Sequence, residues 1–166
     1  MERKYEADTM RRSDREIKEF DEIVEVIKKC DVCRIALNDG GYPYIVPLNF
    51  GMKAEGKQIV LYFHGAGEGK KYELIRRDDR AGFEMDCSHR LVAGTDGCSC
   101  TMKYESVVGR GRIEIVPEEE KTEALSALMG QYHAGKFSFP EEAVRKTTVM
   151  KLTVEQVSGK KNLERV

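Results

Sequence analysis

The chain has 166 residues, of which 40% are hydrophobic and 34% charged, and its formal net charge is −1. These values predict one globular domain and exclude a disordered chain. The charge is close to neutral and is not concentrated in a basic tail, so we expect no nucleic-acid partner. No apolar run approaches the ~18 residues of a membrane span, and the first residues lack a secretory signal. We therefore expect no membrane partner and a cytoplasmic location.

The N-terminal part predicts an arm followed by a helix. Residues 1–12 are polar and predict a mobile arm, which leaves 13–166 as a single domain. Ser13 and Glu16 match a capping box. Apolar residues then recur at helical spacing from Ile17 to Ile27. This pattern predicts an amphipathic helix that begins at Ser13 and ends near Cys30.

Six or seven strands are predicted after this helix. The first two, 32–37 and 44–50, flank Asn38-Asp39-Gly40-Gly41, whose residues tolerate the positive φ of a hairpin turn. Pro47 predicts a bulge or an unpaired stretch, because proline has no N–H to donate. A second turn is predicted over 51–57, and an irregular segment over 87–102. The remaining strands are predicted over 58–63, 81–86, 104–116 and 148–157. In the strand over 104–116, Val107, Ile113 and Ile115 fall on the face shared with Gly109 and Gly111.

Helices are few. A short one is predicted over 70–77, and another begins at Pro117 with an acidic first turn. Its predicted buried stripe is Leu125, Leu128, Met129 and Tyr132. Strands joined mostly by short turns favour a mostly β (α+β) fold, a six- or seven-stranded antiparallel barrel with peripheral helices. A Rossmann fold is excluded, because strand–helix–strand units do not repeat and the Gly65-x-Gly67-x-Gly69 spacing differs from the dinucleotide motif.

A glycine-rich turn supplies the strongest functional signal. Gly65-Ala66-Gly67-Glu68-Gly69 follows an apolar strand and opens a helix that starts with Lys70 and Lys71. Backbone N–H groups from Gly69 onward, with lysines beside them, form a site for a phosphate. Cations alone are disfavoured at a helix N-terminus, so two lysines there indicate a nearby anion. With the flat apolar strand beside it, the turn predicts a small cofactor that has a phosphate at one end and a planar ring at the other.

Three motifs, in this order, resemble one protein family. They are Val46-Pro47-Leu48-Asn49-Phe50, then Phe63-His64 before the glycine-rich turn, and Tyr104-x-Ser106-Val107-Val108-Gly109-Arg110-Gly111. Over almost its whole length the chain is similar to the FMN-binding split-barrel proteins related to pyridoxamine 5′-phosphate oxidase. Within that group it most resembles the nitroimidazole-resistance (Nim-type) branch.

The resemblance implies a split barrel that forms a homodimer, with FMN in the cleft between the subunits. It implies that one strand borders the isoalloxazine ring through Val46, Pro47, Leu48, Asn49 and Phe50. Phe63 and His64 would continue the ring pocket, and Gly69, Lys70 and Lys71 would hold the phosphate. Tyr104 and Ser106 would help to shape the dimer cleft.

The predicted function is an FMN-dependent oxidoreductase with a small-molecule electron donor and acceptor. The acceptor that the resemblance suggests is a nitroaromatic such as a 5-nitroimidazole. The alternatives are a flavin-binding carrier or sensor without turnover, or a haem-binding split barrel with His64 as an axial ligand. Residues 158–166 lack the arginine- and proline-bearing segment expected of true pyridoxamine phosphate oxidases, which argues against vitamin B6 oxidation.

For one histidine, two arginines and the five cysteines, the sequence leaves more than one role open. His64 could contact flavin or substrate, donate a proton as a catalytic residue, or be a hydrogen-bonded structural residue. Arg110 and Arg112 could line the dimer seam, reach an anionic substrate, or form an exposed strand face. The five cysteines could bind a metal, take part in redox or disulfide chemistry, or pack as inert small residues. We favour packing for the cysteines and predict no metal site.

Overall fold

The computed structural model describes residues 10–133 and 135–163. Residues 1–9 of the predicted arm and the last three residues of the predicted domain lie outside this part. Within it the chain forms four α-helices, α1 (Phe20–Lys29), α2 (Lys70–Arg77), α3 (Lys121–Tyr132) and α4 (Glu141–Lys146). Eight strands accompany them, β1 (Glu16–Ile17), β2 (Cys33–Asp39), β3 (Tyr42–Leu48), β4 (Gly51–Glu55), β5 (Gln58–Gly65), β6 (Arg80–Val92), β7 (Thr101–Ile115) and β8 (Thr148–Asn162).

All eight strands belong to one antiparallel sheet. Seven follow the order β3-β2-β6-β7-β8-β5-β4, and the two-residue β1 pairs with β8 beside this path. The strands at the two ends of the path, β3 and β4, are joined by only Asn49 and Phe50. Because two residues span roughly 7 Å at most, the sheet has to curl until its ends meet at this connection. The predicted mostly β split barrel is thus confirmed, with β1 and β4 as additions to the six strands whose ranges were predicted.

The core lies inside this curled sheet and is closed by helices. Alternate strand residues point inward, for example Ile35 and Leu37 in β2, which are 0% and 1% exposed. Helix α1 covers one opening of the barrel with its buried stripe of Ile23, Val24, Val26 and Ile27. Its first turn is acidic and its last turn basic, as the helix dipole favours. None of the helices in the described ranges is both long and apolar enough to cross a membrane.

The predicted start of the first helix is wrong. Ser13 opens a short 3-10 turn without any side-chain capping bond, and α1 begins seven residues later, at Phe20. Glu16 and Ile17 instead pair with Lys160 and Gly159 on β8. This pairing leaves Ile17 only 3% exposed. Burial of Ile17 and two added ladder pairs outweigh a capping box, which contributes only about 1 kcal/mol.

Two further predictions, a turn over 51–57 and a bulge at Pro47, are also wrong. Residues 51–57 are not a turn, because β4 occupies Gly51–Glu55 and only Gly56 has positive φ before β5 begins. Pro47 makes no bulge: it lies opposite Arg34 in regular register. Strand β3 is at the end of the sheet, so an absent N–H on its outer side breaks no ladder.

Three smaller predictions are corrected at the ends of elements. Strand β6 continues through Val92, so the irregular segment is shorter than predicted. Val107 and Ile113, on the face predicted for them, are buried, but Ile115 ends β7 and is 37% exposed. Pro117 precedes a 3-10 turn over Glu118–Glu120, and α3 starts only at Lys121.

Candidate functional site

The glycine-rich turn joins β5 to α2. Gly67 and Gly69 have φ values of 84° and 115°, a region that side-chain-bearing residues rarely adopt. The chain can therefore turn sharply from Gly65, the last residue of β5, into a helix that starts at Lys70. The predicted helix over 70–77 is confirmed.

The two lysines at the start of α2 have different surroundings. Lys70 forms an ion pair with Asp39 at the end of β2, and its Nζ lies 5.5 Å from the centre of the Tyr44 ring on β3. Lys71 has its Nζ 4.4 Å from the centre of the Tyr72 ring. No carboxylate pairs with Lys71 in the part of the chain that the structure describes. Asp39 thus supplies the anion expected near Lys70, while the ammonium group of Lys71 is left to a ligand.

Tyr72 carries a buried hydroxyl without a hydrogen-bond partner. Its side chain is 1% exposed, and its oxygen is the single buried side-chain N or O atom in the described ranges that lacks a partner. A Cβ built on Gly65 would lie 2.4 Å from this oxygen and 3.3 Å from Lys71 Nζ. The phenol oxygen and the ammonium group therefore meet at Gly65. Leaving a hydroxyl buried and unpaired costs about 1–3 kcal/mol, which a ligand oxygen would recover.

Thr148 completes this cluster from the neighbouring strand. It pairs with Gly65 in the β5–β8 ladder, and its Oγ1 would lie 2.7 Å from a Cβ built on Gly67. Three groups able to donate a hydrogen bond, from Lys71, Tyr72 and Thr148, thus surround a turn with no side chains of its own at Gly65 and Gly67. Such a donor set fits an anion with several oxygens, and a phosphate is the obvious one.

Strand β3 runs away from this cluster and exposes one backbone edge. It pairs with β2 only, so its other edge has no ladder partner in the described residues. Val46 and Leu48 are half-buried, whereas Pro47 and Asn49 are exposed. The Lys70–Asp39 ion pair holds the start of α2 against the hairpin that carries this strand. An open strand edge next to a phosphate site can accept the polar edge of a planar ring.

The connection after β3 is held by Tyr132, a residue that sequence reasoning assigned to a buried stripe. Tyr132 is 40% exposed, and its hydroxyl accepts a hydrogen bond from the Phe50 N–H at 2.9 Å. The same hydroxyl donates to the carbonyl of Asp31 at 2.7 Å. Phe50 itself is fully buried. No local sequence signal could reveal this bridge, because it joins three segments that are distant in the chain.

Phe63 and His64 point to opposite faces of β5. Phe63 is fully buried in the core, whereas His64 is exposed next to the glycine-rich turn. The imidazole makes no hydrogen bond or ion pair within the described residues. His64 is therefore available to a ligand at the turn, and Phe63 is a packing residue in this chain.

Tyr104 and Ser106 lie far from the turn within one chain. Ser106 pairs with Lys160 of β8, whereas Gly65 pairs with Thr148 of the same strand. Twelve residues of β8 separate these positions, or roughly 40 Å at ~3.3 Å per residue. The predicted site residues thus form two groups, one at β3 and the turn, and one at the start of β7.

The chain is similar to known proteins over nearly its whole length. The family model described as pyridoxamine 5′-phosphate oxidase matches residues 19–161. The chain belongs to the pyridoxamine 5′-phosphate oxidase family. No curated protein matches the chain at a significant level.

The chain is also similar to several solved structures. A candidate 5-nitroimidazole antibiotic resistance protein from Bacteroides thetaiotaomicron is 35% identical, with a TM-score of 0.76 over 87% of this chain and 85% of that one. An FAD and haem binding protein from Mycobacterium smegmatis shares 16% identity, with a TM-score of 0.77 over 92% and 76% of the two chains. The flavocytochrome Anf3 from Azotobacter vinelandii shares 17% identity, with a TM-score of 0.77 over 94% and 73%. The last two likenesses show the fold alone.

Proposed function

We propose that this member of the pyridoxamine 5′-phosphate oxidase family binds FMN and acts as an oxidoreductase. The observation that supports this most directly is the meeting of Lys71 and Tyr72 at Gly65. The Tyr72 hydroxyl has no hydrogen-bond partner and the Lys71 ammonium group no carboxylate partner among the described residues, and they lie 2.4 Å and 3.3 Å from the Cβ position at Gly65. A phosphate monoester would pair with the ammonium group and accept the phenol O–H.

The open edge of β3 supports a planar ring beside that phosphate. Those backbone groups of Val46 to Phe50 that face away from β2 would bond the polar rim of the ring, with Pro47 contributing only its carbonyl. Tyr132 fixes the end of this strand through Phe50. The ring edge and the phosphate would then be held by two elements that the Lys70–Asp39 ion pair joins.

The chain's own residues define what chemistry the site allows. A bound flavin supplies reversible hydride and electron transfer. Backbone donors of β3 would stabilise negative charge at the rim of the reduced ring. His64, exposed at the end of β5 without a protein partner, would donate a proton to a reduced acceptor. Nitroaromatic reduction is the acceptor chemistry that the 35% identical protein supports, since that protein is described as a candidate 5-nitroimidazole resistance protein.

We also propose that the working unit is a homodimer. The outer face of β3, β2, β6 and β7 exposes Ile45, which is 60% accessible, and Val108, which is 52% accessible. Exposed apolar side chains on a sheet face are typical of an interface. A second copy could also bring its Tyr104 and Ser106 to the turn at Gly65, from which the same residues of one chain are separated by the length of β8.

The cofactor is tested by titrating the flavin-free protein with FMN, FAD and riboflavin and following flavin fluorescence. FMN should bind most tightly, because riboflavin lacks the phosphate and the second phosphate of FAD has no assigned partner. Changing Lys70 and Lys71 together to Glu should abolish FMN retention and leave the weak binding of riboflavin. Arg76→Gln, at the other end of the same helix, is the matched control and should bind FMN as the parent does.

Turnover is tested separately with the FMN-loaded protein. Its flavin bands should bleach with NAD(P)H and recover when a 5-nitroimidazole is added. A yellow protein that never cycles would instead support a carrier or sensor, and a Soret band in the purified protein would support haem. Equal affinity for FMN and riboflavin would contradict the phosphate site.

A further inference from the structure

Two cysteines that are distant in sequence lie side by side in the structure. Cys30 is the C-cap of α1, and Cys87 lies in β6. The Cys30 thiol donates to the carbonyl of Val26 at 3.3 Å, and the Cys87 sulfur lies 4.0 Å from the same oxygen. Two sulfur atoms this close to one carbonyl oxygen are near neighbours in the fold.

The two thiols differ in their access to solvent. Cys30 is 3% exposed, whereas Cys87 is half-buried at the rim of the core. Burial raises the pKa of the Cys30 thiol well above its ordinary value, and the neighbouring Cys87 adds to this rise. Cys30 therefore stays protonated, and a dissolved reagent reaches Cys87 first.

The backbone around Cys87 is distorted in a way that places donors next to its sulfur. The β6–β7 register shifts between Cys87 and Arg90, and Ser88 has a φ of 60°. The Ser88 hydroxyl lies 3.6 Å from the Cys87 sulfur and 2.6 Å from a carboxylate oxygen of Glu105. Lys29 pairs with that carboxylate at 2.6 Å. The Ser88 hydroxyl thus lies beside the sulfur that becomes negative when it reacts, and Lys29 offsets the charge of the carboxylate that this hydroxyl contacts.

We propose that Cys87 and Cys30 form a dithiol site that reacts with hydroperoxides. The Cys87 thiolate attacks one peroxide oxygen, the O–O bond breaks, and hydroxide leaves, so that Cys87 becomes a sulfenic acid. The Cys30 sulfur then attacks the Cys87 sulfur, the S–O bond breaks, and water leaves with the Cys30 proton. In total two thiols lose two electrons, and one hydrogen peroxide is reduced to two waters.

The other three cysteines lack this arrangement. Cys33 is fully buried at the start of β2, and no thiol lies within hydrogen-bond distance of it in the described residues. Cys98 and Cys100 are exposed outside the strands, where Cys100 bonds the backbone of Gly94 and Asp96. Cys33 is therefore a matched control that differs from Cys30 in its sulfur neighbour but not in burial.

The test uses the purified full chain with Cys98→Ser and Cys100→Ser, so that the exposed thiols consume no oxidant. After one equivalent of hydrogen peroxide, the protein is alkylated, digested and analysed by mass spectrometry. We expect a Cys30–Cys87 cross-linked peptide and the loss of two of the three remaining thiols. The thermal unfolding midpoint should rise by about 5–10 °C and return to its starting value with dithiothreitol.

Single variants separate the two steps. With Cys30→Ser, Cys87 should stop at the sulfenic acid and be trapped by dimedone, whereas Cys33→Ser should give the same cross-link as the parent. The proposal is overturned if Cys87 stays reduced, if it pairs with Cys33, or if the cross-link joins two chains. The cross-link is first measured in the protein that keeps Cys30, Cys33 and Cys87. The proposal can therefore be tested even if a single variant of a buried cysteine fails to fold. The outcome is also independent of flavin binding.

Discussion

The phenol oxygen of Tyr72 occupies the space that a side chain on Gly65 would need, since a Cβ there would lie 2.4 Å from it. The hydroxyl is buried, unpaired and next to Lys71. A structural tyrosine would use its hydroxyl within the fold. We interpret this one as a group whose partner arrives with the ligand, and this interpretation has a specific consequence.

Tyr72→Phe should change the stability and the affinity in opposite directions. The flavin-free protein should gain about 1 kcal/mol of unfolding free energy, because an unpaired buried hydroxyl is removed. FMN affinity should fall by about tenfold, which corresponds to ~1.4 kcal/mol for a lost hydrogen bond to an anion. Urea unfolding and fluorescence titration measure the two quantities. Tyr62→Phe, on β5, is the control and should leave FMN affinity unchanged. A loss of stability in Tyr72→Phe would show that the hydroxyl has a partner in the fold.

Tyr132→Phe should loosen the end of β3. It removes the acceptor of the Phe50 N–H and the donor to the Asp31 carbonyl, which keeps only the Asn49 side-chain amide at 3.4 Å. We expect a loss of about 1–2 kcal/mol of unfolding free energy and faster hydrogen exchange at Phe50. Exchange in α2 should not change, since that helix is held by other contacts. Unchanged protection at Phe50 would mean that the connection is held without Tyr132.

The Glu105–Lys29 pair should make the protein sensitive to acid. Burial alone would raise the pKa of Glu105, but hydrogen bonds from Lys29 and Ser88 and the charge of Lys29 hold it below its ordinary value of 4.5. A depressed carboxyl pKa contributes stability above 4.5, and this contribution is lost as pH falls through the lower folded value. Glu105→Gln should therefore be less stable than the parent at pH 7, and the difference should shrink as the pH falls below 4.5.

The control for this pH dependence is an exposed ion pair. Glu123 pairs with Lys53 at the surface, where solvent screens the interaction. Glu123→Gln should have little effect on unfolding at any pH. If both variants gave the same pH profile, the burial of Glu105 would have no role.

A pair of glycines tests how closely α3 packs on the barrel. A Cβ on Gly51 would lie 2.3 Å from the backbone nitrogen of Leu128, so Gly51→Ala has to push α3 away from β4. We expect a loss of about 2–4 kcal/mol in unfolding free energy. Gly130→Ala, on α3 itself, meets nothing within 4 Å and should stabilise the helix by about 0.5–1 kcal/mol. Chemical denaturation of both variants measures the contrast.

Local sequence patterns predicted the hairpin and helix α2, the elements that position the glycine-rich turn. The hairpin at Asn38–Gly41 forms as predicted, with the Asn38 side chain accepting the Gly40 N–H at 3.1 Å. Helix α2 begins at Lys70 because glycines supply the backbone freedom immediately before it. Where the sequence prediction was wrong, as at Ser13 and over 51–57, a distant strand or helix had taken the segment. A short window of sequence cannot show this competition, because the burial that outweighs the local signal depends on residues far away in the chain.

By itself the sequence determined the alternation of strands, the glycine-rich turn and the two lysines, because these depend on the backbone and charge of neighbouring residues. The tertiary structure alone decided that Lys70 is paired with Asp39 and Lys71 is not, that the Tyr72 hydroxyl is buried without a partner, and that Cys30 and Cys87 approach the same carbonyl of Val26. Each of these facts is a meeting between side chains from separate elements. Their contact follows from the curl of the whole sheet, which no single segment specifies.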